Sequence, residues 1–186
     1  MIIEPYFYLI AIVTVFLHGM GKGGFIGAGS FGSLLAIPML SIFIPPFQAV
    51  AILLLPLIFM DLVTVWRYRR MWDKEILKFI VPLAFLGIII GTLSFSYLSE
   101  DSVRVIIGLM AVIFCLDYYL RKNSTEPRKP SFWGSYFWPS LSGFTSFSIH
   151  AGGLPLSFYL LPMRLDRRIY VATAGLFYLL INLFKI

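Results

Sequence analysis

Few side chains in this sequence can do chemistry, and most of them stand beside glycines. Lys22 is the single cation in residues 1–66, and it lies inside a cluster formed by Gly19, Gly21, Gly23, Gly24, Gly27, Gly29 and Gly32. A charge there attracts an anion if the segment is within a membrane, or sits at a loop tip in water if it is not. The two histidines, His18 and His150, each stand just before a glycine break, the second break holding Gly143, Gly152 and Gly153. An imidazole titrates near neutral pH, so either could carry a coupling proton or act in a polar relay, the alternative being a satisfied interior histidine. Asp61 and Asn182 complete the set. Asp61 is close in sequence to Arg67, Arg69 and Arg70, and pairing with them would explain it simply.

The glycine breaks themselves are a second source of chemistry. Backbone groups cannot be left unpaired in lipid, so a helix broken at membrane depth must be lined by protein or by a water-filled cavity. At the start of a half-helix the freed N–H groups and the macrodipole favour an anion. Gly23, Gly24, Gly27, Gly152 and Gly153, with Lys22, are therefore the expected binding set for one small anion shared by both breaks. His18, His150, Asp61 and Asn182 are the expected coupling or relay groups. The competing explanation is that the glycines only let helices pack closely, as the G-x-x-x-G pair Gly87 and Gly91 does.

Catalysis finds no comparable support. Cys115 is the lone cysteine, and no His–Cys cluster, H-E-x-x-H, nucleophile elbow or Walker loop appears. The stretch from Gly27 to Gly32 matches G-x-G-x-x-G, but it lacks the strand before it and the βαβ unit that a dinucleotide site requires. Neither a catalytic residue nor a metal or cofactor is expected, and the protein is not expected to be an enzyme.

The elements that must position these residues are membrane helices. The 186 residues are 59% hydrophobic and only 13% charged, with a mean hydropathy of +0.88, against about 25% charged in soluble chains. A span needs about 20 apolar residues. Residues 47–66, 79–98 and 103–120 meet that need, and a fourth run, 169–186, reaches the chain end. Residues 6–43 and 132–162 are apolar but broken by glycines. The start of the chain is read as a retained membrane segment, because Glu4 and the absence of a basic residue argue against a signal peptide. Residues 1–122 then form a first module, residues 123–131 a polar loop, and residues 132–186 a second, incomplete module.

The net charge of +6 is gathered in loops, which marks topology and not nucleic-acid binding. Arg67, Arg69, Arg70, Lys74 and Lys78 in one loop, and Arg121, Lys122, Arg128 and Lys129 in another, face the cytoplasm. Arg164, Arg167 and Arg168 join them if residues 132–162 enter and return as a re-entrant hairpin. A weak internal repeat aligns Val50–Leu62 with Val171–Leu183, which sets Asp61 opposite Asn182. With the hairpin the two halves are inverted; without it they are parallel. The fold expected is thus all-α and polytopic, with two related helical repeats and glycine-broken, re-entrant-type helices.

Two duplicated motifs give the chain a family resemblance. Gly23-Gly24-Phe25-Ile26-Gly27 with Gly29, Gly32 and Pro38, then Ala49 and Ala51, and later His150-Ala151-Gly152-Gly153 through Pro155 with Val171-Ala172-Thr173-Ala174, resemble the TauE/SafE sulfite exporters over nearly the whole chain. The resemblance implies a multi-pass inner-membrane permease of duplicated modules that moves small sulfur-containing anions, sulfite or organosulfonates, outward on an ion gradient; two halves rocking about the glycine breaks would do so by alternating access. Its partners would be the anion and the bilayer. It also implies further spans after residue 186, or a second copy or another chain that completes the module. A non-transporting accessory subunit, an incomplete fragment and a channel are the competing classes.

Overall fold

The computed structural model describes residues 5–23, 36–94 and 131–186, together with isolated residues between 97 and 119. Among them all regular structure is helical: α1 (Pro5–Lys22), α2 (Pro46–Arg67), α3 (Lys74–Ser94), α4 (Phe132–Ile149), α5 (Gly153–Leu160), a 3-10 turn (Leu161–Met163) and α6 (Arg167–Phe184). Residues 36–40 add a short helical stretch before α2. Gly24, Gly27, Gly29 and Gly32, most of the span expected at 103–120, and nearly all of the polar loop lie outside the described residues.

Short polar side chains decide where three helices begin. Asp73 Oδ1 accepts from the N–H groups of Glu75 and Ile76 at 2.9 and 3.0 Å, so α3 starts at Lys74, five residues ahead of the apolar run. Ser131 Oγ accepts from Gly134 N, and Asp166 Oδ1 from Arg168 N. Such caps satisfy donors that the first helical turn cannot pair internally. Helix α2 uses Pro46 in its first turn instead, where the missing N–H is harmless.

The helices α3 and α4 approach until their backbones nearly touch. A Cβ on Gly87 would lie 1.9 Å from the Ser140 carbonyl oxygen, and one on Gly143 would lie 1.9 Å from that of Ala84. Gly87 therefore packs helices, as its spacing to Gly91 suggests. Gly143 does the same, which corrects its assignment to the second break: it sits in the middle of α4, where the close approach demands a residue without a side chain. On the other flank α6 lies against α2, with Gly175 under Thr64 and Thr173 Oγ1 accepting from Asp73 N at 2.9 Å.

Both broken regions fold back on themselves. Phe7 near the start of the first meets Phe43 near its end, ring centroids 6.2 Å apart. In the second, Trp138 of α4 meets Phe158 of α5 at 4.6 Å, and Phe79 touches both Tyr136 and Tyr159. Eight residues make α5 about 12 Å long, and Leu154 through Leu160 are all buried. The two regions share one core, in which Ala151, Leu154 and Phe158 pack with Ala36, Ile37 and Leu40. At one end of the bundle Trp72 and Ile76 pack in the same cluster as Met163 and Leu165, which brings two of the basic loops together.

Large apolar side chains cover the outside while a set of polar ones is buried among the apolar core. Leu55, Phe59, Trp66, Leu93, Tyr6 and Ile12 are exposed, whereas Asp61, Thr145, Ser142, Thr14, Thr173, His18 and Asn182 are buried. Buried hydroxyls on α4 donate to backbone carbonyls, Thr145 to Leu141 at 2.8 Å and Ser148 to Phe144 at 3.0 Å. Apolar outer faces with polar groups kept inside suit lipid as solvent. Two of the helices, over Gln48–Arg67 and Lys74–Ser94, are long and apolar enough to cross a bilayer.

Candidate functional site

Helix α1 carries Thr14, His18 and Lys22 four residues apart, a spacing that puts all three on one face. That face points inward, with Thr14 fully buried and His18 only 3% exposed. At the end of the helix the Lys22 ammonium pairs with Asp61 Oδ1 of α2 and lies 4.5 Å from the centre of the Tyr178 ring of α6. Asp61 is completely buried, and its second oxygen accepts from Asn182 Nδ2 at 2.7 Å. Three helices thus close on one carboxylate. The two residues that the internal repeat sets opposite each other are in direct contact.

One turn beyond Asn182, Lys185 caps α6 and turns toward the second break. Its Nζ donates to the Ser146 carbonyl at 3.0 Å, to Ser146 Oγ at 3.1 Å and to His150 Nδ1 at 3.2 Å, which uses all three of its hydrogens. His150 Nε2 donates to the Val50 carbonyl of α2 at 2.8 Å. A carbonyl can only accept, so Nε2 carries the imidazole hydrogen and Nδ1 is left to accept from Lys185. The backbone of His150 is left-handed, φ 53° and ψ 20°, a conformation that costs a non-glycine residue about 1–2 kcal/mol and persists where the surroundings impose it. Here the imposition is visible, because the ring is held at both nitrogens.

Among the described residues charge does not balance around this cluster. Lys22 is matched by Asp61, whereas Lys185 has no carboxylate in salt-bridge range among the described residues. Both lysines stand at helix C-termini, where the macrodipole favours a cation. The arrangement can therefore hold an extra negative charge. It holds no metal set: among the described residues no group of three or more His, Cys, Asp or Glu comes together.

Several sequence expectations change form here. Lys22 is not at a watery loop tip, its side chain being 13% exposed, and Asp61 turns to Lys22 and Asn182 instead of Arg67, Arg69 or Arg70. The Gly23 N–H, expected to be free for a ligand, donates to the Gly19 carbonyl at 2.8 Å because α1 continues to that point. Gly24 and Gly27 lie outside the described residues. Gly152 is tightly enclosed: its carbonyl accepts from Ser142 Oγ at 2.7 Å, and a Cβ on it would lie 2.7 Å from the Ser142 carbonyl. Gly153 opens α5, whose helical geometry leaves the N–H groups of Gly153 and Leu154 without intrahelical acceptors, while Pro155 has none to offer. Lys185 was missed, although it is the single cation after Arg168 and stands alone in an apolar helix exactly as Lys22 does.

A polar cluster beneath apolar outer faces, drawn from α1, α2, α4 and α6, agrees with what comparison finds. A family model described as the sulfite exporter TauE/SafE matches residues 11–186. No curated protein and no solved structure matches the chain. The match spans α1 from its second turn through α6 and includes every residue of the cluster, so the chain belongs to the TauE/SafE sulfite exporter family of membrane transport proteins.

Proposed function

We propose that this protein is a multi-pass permease of the cell membrane, the inner membrane in a bacterium, that exports small sulfur-containing anions of the sulfite or organosulfonate class. The observation that carries this reading is a half-buried pair of lysines, of which Lys22 is matched by Asp61 while Lys185, beside the His150–Gly152 break, has no carboxylate in salt-bridge range among the described residues. A single anion would complete the charge balance, with the Gly153 and Leu154 N–H groups on the same break. Transport would follow alternating access driven by an ion gradient, with two related halves moving about the shared site. Support for related halves comes from the Asp61–Asn182 contact, since equivalent positions meet where an axis between repeats passes. Support for re-entrance comes from the fold-back of both broken regions.

Of the two histidines in the coupling role, His18 is better suited. Both nitrogens of His150 are engaged, so it serves to hold the break in place. A packing scaffold would account for Gly87 and Gly143 but not for two half-buried lysines turned inward. Purified protein in proteoliposomes should give saturable sulfite flux that responds to an imposed pH gradient. Well-inserted protein without flux would instead identify a non-transporting subunit.

A further inference from the structure

Among the described residues His18 holds a buried polar atom without a hydrogen-bond partner. Its Nδ1 lies 3.2 Å from the Thr14 carbonyl; as that oxygen can only accept, Nδ1 carries the ring hydrogen and Nε2 presents a bare lone pair. Nε2 is buried and makes no hydrogen bond among the described residues, and the same is true of Thr14 Oγ1 one turn earlier on the same face. In a helix buried in apolar surroundings a threonine hydroxyl ordinarily bonds back to a carbonyl of the preceding turn, so two orphaned atoms side by side are unusual. An unmade bond at such a position costs about 1–3 kcal/mol. Lys22 follows one turn later and connects this face through Asp61 and Asn182 to the helix end that carries Lys185.

We infer that the hydrogen His18 accepts is brought by the substrate: the site takes a singly charged oxyanion that also bears an O–H or N–H donor, the negative charge answering Lys185 and the donor answering His18 Nε2. This rests on the anion-site reading above and narrows it. A fully deprotonated dianion would overfill the charge and leave Nε2 unpaired. A monoanion without a donor would satisfy only the lysine. The Thr14 hydroxyl can donate to an oxyanion oxygen next to it.

The test compares 2-hydroxyethanesulfonate with ethanesulfonate, which keep the same single charge near neutral pH and differ by one O–H. Titration calorimetry on the full chain in nanodiscs should show the hydroxy compound binding at least about tenfold tighter, the worth of one hydrogen bond to a buried acceptor. His18→Phe should erase that preference by weakening the hydroxy compound alone. His18→Gln, whose side-chain carbonyl can accept, should restore part of it. Equal binding of the two sulfonates by the unaltered protein, or a preference that survives His18→Phe, would overturn the inference. If both bind equally and Lys185→Gln weakens both, the anion site stands and only the donor requirement fails. If neither they nor sulfite binds, or Lys185→Gln changes nothing, the anion site fails and this inference with it.

Discussion

Replacing Asp61 with Leu is expected to lower the stability of the protein by about 3–5 kcal/mol, because Lys22 is then left without its partner in a largely enclosed position. The double replacement Lys22→Met with Asp61→Leu should be more stable than the Asp61→Leu single, although it carries one more change. Two apolar side chains of similar bulk can stand in for a buried ion pair with little loss, whereas half a pair cannot. The recovery stops short of the starting protein, since Asn182 Nδ2 has lost its acceptor. Thermal unfolding of the detergent-solubilised variants reads this order directly. Flux should be absent from the double variant in proteoliposomes even as its stability returns, which separates holding the fold from serving the site. A double variant no more stable than the single would show that Lys22 and Asp61 do not act as an energetic unit.

Gly152→Leu should reduce flux by about 100-fold or more, the scale of loss that a displacement of about 1 Å brings to a positioned site. Even a Cβ at this position would lie 2.7 Å from the Ser142 carbonyl and 2.8 Å from Ser146 Cβ. The atoms in the way belong to the last turns of α4, where Ser146 holds Lys185. Pushing α5 away from them would also strain the left-handed turn at His150 that Lys185 and the Val50 carbonyl fix. The variant should still insert in the membrane, as the long apolar helices α2 and α3 are untouched. Flux close to that of the starting protein would mean that the break tolerates opening and does not position the site.

How much of this was legible in the sequence depends on the kind of signal. Helices α2 and α6 were readable because apolar length is a local property; α3 was read as starting five residues late because its start is set by Asp73, a cap that hydropathy does not register. The glycines were ambiguous for a physical reason. A helix that must approach a neighbour and a helix that must end both exclude side chains, so Gly143 and Gly152 look alike until Ala84 is seen against the first and a turn at the second. The cluster residues Lys22, Asp61, Asn182 and His150 stood out as polar groups in apolar runs, and the repeat placed Asp61 with Asn182. Their bonding could not be read, since it depends on the crossing of α1, α2 and α6. Lys185 was legible by the rule that found Lys22, but nearness to the chain end masked a residue that reaches back 39 positions to Ser146.

Lys185, half-buried and with no carboxylate in salt-bridge range among the described residues, is the group proposed to supply the charge that an exported anion answers. The measurement that tests that role most directly is initial-rate sulfite flux in proteoliposomes, comparing the unaltered protein with Lys185→Gln at matched insertion and matched melting temperature. Glutamine can still donate to Ser146 while removing the charge. Saturable flux is expected in the first and a fall of at least about tenfold in the second, because the anion's charge is then left without the opposite charge that answers it. Equal flux from both proteins would contradict that role.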